Sequence, residues 1–251
     1  MKFLVGILTS DDTVKLERAI KSVGDGIDIL VVSNTLDSSY AEKAQKVAEQ
    51  FGCQFIETES NGTPGKGKQS VLDHFNSTDY DYLIPIDGDD YIFDDGISRI
   101  KNIVTENGYD VLSNTGQHMS DGRNVVADLF TNDIFKYKQW NRAELRNWMR
   151  FIKALKKFNL PSSALRFICL SKKATNSFTY RDDFAGSEDM YASCVLYLDE
   201  TLHKQTTQEK LYIYDYDNEG AFWKFYSDKT EIEKTATALE ELYESRQLHS
   251  N

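Results

Sequence analysis

The chain has 251 residues, 40% of them hydrophobic and 27% charged, with a net charge of −11. That suits one globular domain with room for a second small lobe, and no apolar run approaches the roughly 20 residues that would carry a helix through a bilayer. Cys53, Cys169 and Cys194 are odd in number, widely spaced and without metal-type spacing, so they read as reduced thiols of a cytoplasmic protein.

Phe3 to Leu8 reads as a buried first strand. It runs into Ser10-Asp11-Asp12 and lacks the small-residue cleavage site of a signal peptide. Asp12 can cap a helix from Thr13 to Val23, whose apolar side is Val14, Leu16, Ala19, Ile20 and Val23. Ile27 to Ser33 is a second strand ending in Asn34-Thr35-Leu36-Asp37. Ser39 to Phe51 is a second helix, and Cys53 to Glu57 a third strand. The glycine-rich segment from Ser60 to Lys68 reads as a loop, followed by a helix from about Gln69 to Phe75. Tyr82 to Ile86 is a fourth strand, apolar and β-prone, that stops abruptly at Asp87-Gly88-Asp89-Asp90.

A helix follows from Gly96 to Asn107, then a strand from Tyr109 to Ser113 and a turn or hairpin over Gln117 to Val126. Residues 136–173 differ in character: eleven Lys or Arg against one acid, Glu144. Within them, Asn141 to Phe158 has helical periodicity. Arg142, Arg146, Arg150, Lys153 and Lys157 fall on one stripe, and Leu145, Trp148, Phe151, Ile152, Leu155 and Phe158 lie largely opposite. The last third holds Glu188-Asp189 before an apolar run to Leu198, a strand from Lys210 to Tyr216, and a helix from Lys229 to Gln247.

Repeated strand–helix alternation predicts an α/β fold with a mostly parallel central sheet, helices on its faces and a helical C-terminal part. Ligands in such sheets bind at the carboxyl ends of the strands. Thr9, Asn34, Asn61 and Asp87 stand at those ends and predict one nucleotide site. Asp87 and Asp89 can approach a common point at the turn, and two adjacent carboxylates ask for a hard divalent cation. The cationic stripe fits three roles. It can be a solvated helix face, a surface for a polyanionic acceptor such as DNA, or a contact with an anionic membrane beside a lipid-linked acceptor. Tyr137, Trp140 and Trp148 can stack a sugar or a base there.

Together the opening strand Phe3 to Thr9, the strand end Val31-Val32-Ser33-Asn34, the segment Asn61-Gly62-Thr63-Pro64-Gly65-Lys66-Gly67, the acidic Asp87-Gly88-Asp89 and the later Glu188-Asp189 resemble the GT-A fold glycosyltransferases. The resemblance is to inverting glycosyltransferase family 2, in a compact style like that of virus and phage enzymes, some of which modify DNA, and it covers roughly residues 1 to 220. It implies a hexosyltransferase-like enzyme of the cytoplasm, or of the host cytoplasm if viral. Such an enzyme moves a sugar from a nucleoside-diphosphate sugar, a UDP-sugar first of all, to an acceptor hydroxyl with inversion. It implies Mn²⁺ or Mg²⁺ held by Asp89, with Asp87 at the metal or the ribose, and Asp189 as the base with Glu188 orienting a substrate. It implies donor contacts from Thr9, Asn34, Asn61, Lys66 and Gln69. Asn34 stands where that family often has an acid reading the base, and Asp37 can take that part. The third metal ligand of some relatives is a late histidine; here His203 is early, and the later strand offers Asp215 and Asp217 instead. The implied organisation is one GT-A domain in two halves: residues 1–130 for the sugar nucleotide and 131–251, with the basic helix 141–158, for the acceptor.

Two readings compete. A nucleotidyltransferase acting on a sugar phosphate would use the same carboxylates, but Thr9-Ser10-Asp11-Asp12 stands where its Gly-rich, basic loop belongs. A nucleic-acid or carbohydrate-binding protein without catalysis would need only the surfaces.

Overall fold

The computed structural model describes residues 1–114, 117–122, 124–125, 142–158, 166–215 and 228–248. A seven-stranded sheet runs through them in the order β10-β6-β9-β4-β1-β2-β3. Its strands are β1 (Phe3–Thr9), β2 (Asp28–Ser33), β3 (Gln54–Glu57), β4 (Tyr82–Asp87), β6 (Val111–Asn114), β9 (Phe167–Ser171) and β10 (Lys204–Thr207). All neighbouring strands are parallel except β9, which is antiparallel to both β4 and β6. A second sheet, in the order β5-β11-β7-β8, is built from β5 (Tyr91–Ile92), β11 (Tyr212–Tyr214), β7 (Gln117–Met119) and β8 (Asn124–Val125).

Alternation along the strands gives the central sheet two apolar faces. Val5, Ile7, Val31 and Ile84 pack on one face against Leu16, Ala44 and Ile100 of α1 (Thr13–Val23), α2 (Ser38–Gln50) and α4 (Gly96–Asn107). Leu4, Leu30, Val32 and Leu83 pack on the other. Their partners are Val71 and Phe75 of α3 (Pro64–Ser77), Ala174 of the short α6 (Lys172–Thr175), and Ala192 and Leu196 of α7 (Glu188–Leu198). A third cluster joins α5 (Arg142–Lys156) to α8 (Lys229–Leu248), with Phe151, Leu155, Ile232, Ala236 and Leu239 around Met190 and Cys194 of α7. No helix among the described residues is long and apolar enough to cross a membrane.

The main departure from the sequence reading is the glycine-rich segment. Residues 64–68 are the first turns of α3, not a loop: Pro64 opens the helix, where its missing N–H costs nothing. The glycines serve close packing. A Cβ on Gly65 would stand 2.0 Å from the Arg181 carbonyl oxygen, and one on Gly67 would stand 2.4 Å from Leu8 and 2.7 Å from Asn34. α3 is thereby pressed onto the strand ends. β9 and β10 were not predicted as strands, and β6, β9 and β10 extend one sheet across the 130/131 boundary. Tyr137, Trp140 and Asp217 lie outside the described residues.

Candidate active site

The acidic turn sits where β4 ends. Gly88 is needed there for space: a Cβ would meet the Leu8 carbonyl oxygen at 2.7 Å and Thr9 Cβ at 2.9 Å. Its N–H donates to that same carbonyl at 2.6 Å, which locks the turn against the end of β1. Beyond it, Asp90 is fully buried. It accepts from the Tyr212 hydroxyl at 2.7 Å and from the Asp215 N–H at 2.9 Å, so the second sheet holds the turn from below. Arg18 of α1 donates to the Asp89 carbonyl at 2.5 Å and to the Asp215 carboxylate at 2.7 Å.

Two cations meet these acids: Lys68, which the sequence reading sets with Lys66 in a glycine-rich loop near phosphate, and Arg166, which it counts only in the basic stretch. Arg166 stands just before β9, and the antiparallel register of β9 on β4 brings it to the strand end. Its Nη1 donates to Asp87 Oδ2 at 2.5 Å, Nη2 is 3.3 Å from Asp90 Oδ2, and the guanidinium lies 4.1 Å from the centroid of the Tyr212 ring. Lys68, on the buried side of α3, donates to Glu188 Oε1 at 2.8 Å and Asp189 Oδ2 at 2.6 Å, and lies 3.7 Å from Asp87 Oδ1. Glu188 and Asp189 open α7, where acids suit the helix dipole. One ammonium therefore joins the acids of α7 to the acid of β4. No spacing rule on the sequence would have paired residues about 120 positions apart.

Burial would raise the Asp87 carboxyl, but the charges of Arg166 and Lys68 outweigh it and hold it at about 2. Asp89 has the opposite fate: burial, then repulsion from Asp87, pushes its carboxyl above the ordinary range. Burial likewise raises Asp90 and Glu188. Burial works against the Lys68 ammonium, yet Asp189, Asp87 and Glu188 keep it firmly protonated. Three buried polar atoms here, Arg166 Nε and Nη2 and Glu188 Oε2, have no hydrogen-bond partner among the described residues. Such atoms are costly unless a ligand or water meets them. A small cavity beside them, with room for about one water by its size of ≈ 20 Å³, is lined at its polar end by Lys68, Asp87, Arg166, Tyr180 and Asp189.

The donor set fits a hard divalent ion through Asp89. Its carboxylate is half-buried, and among the described residues the hydrogen bond to it comes from its own backbone N–H. Asp87 is committed to Arg166 and Lys68, and the described residues contain no cluster of three or more His, Cys, Asp or Glu that could hold a metal. An ion held this way would need phosphate oxygens and water for the rest of its ligands. Asp215 is engaged by Arg18 and Ser120, and His203 packs on the Tyr109 ring, so neither stands free as a third ligand.

The other anticipated positions gather at the same sheet edge with their polar groups largely spent inside the protein. Thr9 Oγ1 pairs with the Tyr40 hydroxyl. Asn34 donates to the Thr63 carbonyl at 2.8 Å and accepts from Thr58 at 3.0 Å. Asp37 caps α2 by accepting from the Ser39 N–H at 2.9 Å. Asn61 donates to the Asp182 carbonyl at 2.8 Å and accepts from Thr63. Gln69 accepts from the Tyr180 N–H and donates to Asp73. Lys66 is half-buried on α3.

The basic helix turns part of its charge inward. Arg150 donates to Glu240 at 2.8 Å and lies 3.5 Å from Glu233, both on α8, and Lys157 lies 5.3 Å from the Tyr243 ring centroid. Arg146 is exposed.

The fold is similar to that of S. aureus TarS. Against TarS 1–349 in complex with UDP the TM-score is 0.60, at 15% identity over 98% of this chain and 69% of that one. Against TarS 1–349 in complex with UDP-GlcNAc it is 0.59, at 16% identity over 99% and 73%. A longer TarS chain gives 0.57 at 18% identity, with 89% of this chain covered but only 38% of the TarS chain. The chain thus has the GT-A-type glycosyltransferase fold. No protein-family model and no curated protein sequence matches it.

Proposed function

We propose that this chain is a glycosyltransferase that moves a sugar from a nucleoside-diphosphate sugar, with UDP as the first choice of nucleotide, to an acceptor hydroxyl with inversion. The observation that carries the reading is the pairing of two acidic groups across Lys68: Asp87 at the end of β4, and Glu188 with Asp189 at the start of α7. The fold adds support, because one protein of similar fold, S. aureus TarS, has been solved with UDP and with UDP-GlcNAc.

In this reading the donor lies over the ends of β1, β2 and β4, with its diphosphate at the acidic turn. Asp89 would hold a Mn²⁺ or Mg²⁺ ion, which would supply charge to the departing diphosphate. Arg166 steadies Asp87, and its Nε, buried without a hydrogen-bond partner among the described residues, is left for a phosphate oxygen. Asp189 is the general base. Lys68 holds its Oδ2, and the other oxygen takes the acceptor's proton as the acceptor oxygen bonds to the anomeric carbon. The bond from that carbon to the diphosphate breaks, and its electron pair leaves with UDP. Thr9, Asn34, Asp37, Asn61 and Gln69 shape the nucleotide end through the bonds they already make, with Lys66 beside them. The three cysteines are unpaired, which fits a reducing cytoplasm. A polyanionic acceptor on the basic helix finds little support, since Arg150 and Lys157 face α8.

A hydrolysis and transfer screen across sugar nucleotides, with Mn²⁺, Mg²⁺ or chelator, tests the proposal. Asp89→Asn should lose the metal-dependent part of UDP binding. Asp189→Asn should keep UDP binding and lose about 10²–10⁴-fold in turnover. The proposal is dead if no sugar nucleotide binds and Asp89→Ala changes nothing.

A further inference from the structure

We propose that Lys68 is the positioning residue of this site: its ammonium holds Glu188 and Asp189 by one oxygen each and sets them against Asp87. Asp189 is then left with its second oxygen for the acceptor, and Glu188 with a buried oxygen for a sugar hydroxyl. The inference rests on the glycosyltransferase reading for its chemistry and on geometry for its contacts.

The ammonium has three protons. Two go to Glu188 at 2.8 Å and Asp189 at 2.6 Å, and Asp87 Oδ1 lies 3.7 Å from the nitrogen. The Lys68 side chain is only 11% exposed, so the contact is a built one and not a surface pair screened by water. Its place is fixed from behind by the tight seating of α3, through Gly65 on the Arg181 carbonyl and Gly67 on Asn34. Glu188 and Asp189 are adjacent in the first turn of α7 and repel one another. Lys68 is the cation that hydrogen-bonds both. With Lys68 gone, the pair would swing apart or share a proton. The charged and titratable neighbours on every side are Asp87, Asp89 and Asp90 of the turn, Arg166 before β9, and Tyr180 beside α3.

The chemistry favours lysine over arginine. A compact ammonium with three rotatable donors fits among three carboxylates, whereas a guanidinium is larger and presents its donors in a fixed planar fork. Glu188 Oε2 supports the second half of the inference. It is buried without a partner, so a donor must come from outside the described chain. A sugar hydroxyl is the donor that the proposed substrates carry.

The test compares Lys68→Met and Lys68→Arg with the wild type in UDP titration calorimetry and in hydrolysis of the donor found active in the screen. Lys68→Met should lower the hydrolysis rate constant on the order of 10²-fold, the cost of a misplaced catalytic group. Its UDP Kd should stay within about threefold, because Asp87 keeps Arg166 and ground-state binding is untouched. Lys68→Arg should recover part of the rate. A readout independent of activity is the melting temperature. Lys68→Met should melt below the wild type, and Lys68→Met with Glu188→Gln should melt above Lys68→Met alone. An unchanged rate, a UDP affinity that falls in step with the rate, or an unchanged melting temperature overturns the proposal. If Lys68→Met does not fold, the same rate and affinity comparison on Lys68→Arg decides it. A wild type that binds neither UDP nor any sugar nucleotide defeats the glycosyltransferase reading by itself. The melting cycle then still decides whether Lys68 holds the two carboxylates.

Discussion

Arg166 donates to Asp87 across 79 residues of sequence, and the bond exists because β9 enters the sheet antiparallel to β4. The pair is nearly dry, with side-chain exposures of 14% and 29%. Removing one partner of such a pair leaves a charge unpaired, which costs more than the pair is worth. Arg166→Met should therefore destabilise the fold by about 3 kcal/mol or more at neutral pH, read by urea unfolding in chelator.

The same pair sets an acid limb. The Asp87 carboxyl is depressed from 3.8 to about 2 in the folded chain. A depressed carboxyl contributes stability that is full above its unfolded value and is lost as pH falls through the folded one. The window here is therefore pH 4 down to about 2. Wild-type stability should fall through that window, while Arg166→Met should show a flatter profile there. Equal slopes in the two proteins would show that Arg166 is not what holds Asp87 ionised.

Asp90 poses the opposite case. Burial raises its carboxyl well above the ordinary range, so it contributes most when it carries a proton. Asp90→Asn keeps the shape and one acceptor for the Asp215 N–H, and it should cost under about 1 kcal/mol. Asp90→Ala strands both the Tyr212 hydroxyl and that N–H, and should cost about 2–4 kcal/mol in thermal or urea unfolding. A large loss for the asparagine variant would mean that Asp90 works as an anion beside Arg166.

Local signals made the first half of the fold legible in the sequence. Period-2 and period-3.6 patterns predict β1, α1, β2, α2 and β4 within a residue or so of their observed ends, and Asp12 does cap α1. The acidic turn could be placed because an apolar strand stops in a run of aspartates. The remainder depended on distance in sequence. β9 is a five-residue apolar strand that follows a long basic segment, and its identity comes from pairing with β4 and β6. Arg166 and Lys68 carry no motif of their own. They matter because the sheet register and two glycine contacts deliver them to one point. The glycines were misread for a related reason. Glycine permits both a loop and a close helix–strand approach, and the carbonyl of Arg181 that decides between them is more than a hundred residues away.

That approach can be tested at Gly65. A Cβ there would stand 2.0 Å from a backbone oxygen, which cannot swing aside as a side chain can. Gly65→Ala gains helix propensity of about 1 kcal/mol in an open helix, so a gain in stability would refute the packing account. The expected outcome is a net loss of about 1–3 kcal/mol from overpacking. The donor hydrolysis rate should fall with it, since α3 carries Lys68 and its seating sets that ammonium against Glu188 and Asp189.

On α5, Arg150 decides what the basic helix is for. It bonds Glu240 at 2.8 Å and approaches Glu233 at 3.5 Å, with its own side chain 39% exposed. Half-exposed pairs are screened, so Arg150→Glu should cost only about 0.5–1 kcal/mol, and less as salt rises. Pairing it with Glu240→Lys should return most of that loss, which separates a charge effect from damage to the helix. The same variant distinguishes an internal brace from a polyanion surface. If Arg150 serves α8, the affinity for duplex DNA and its salt slope should match the wild type. If it neutralises a phosphate, the salt slope should fall by about one contact. The observed bonds predict the first outcome: stability moves, and DNA binding does not.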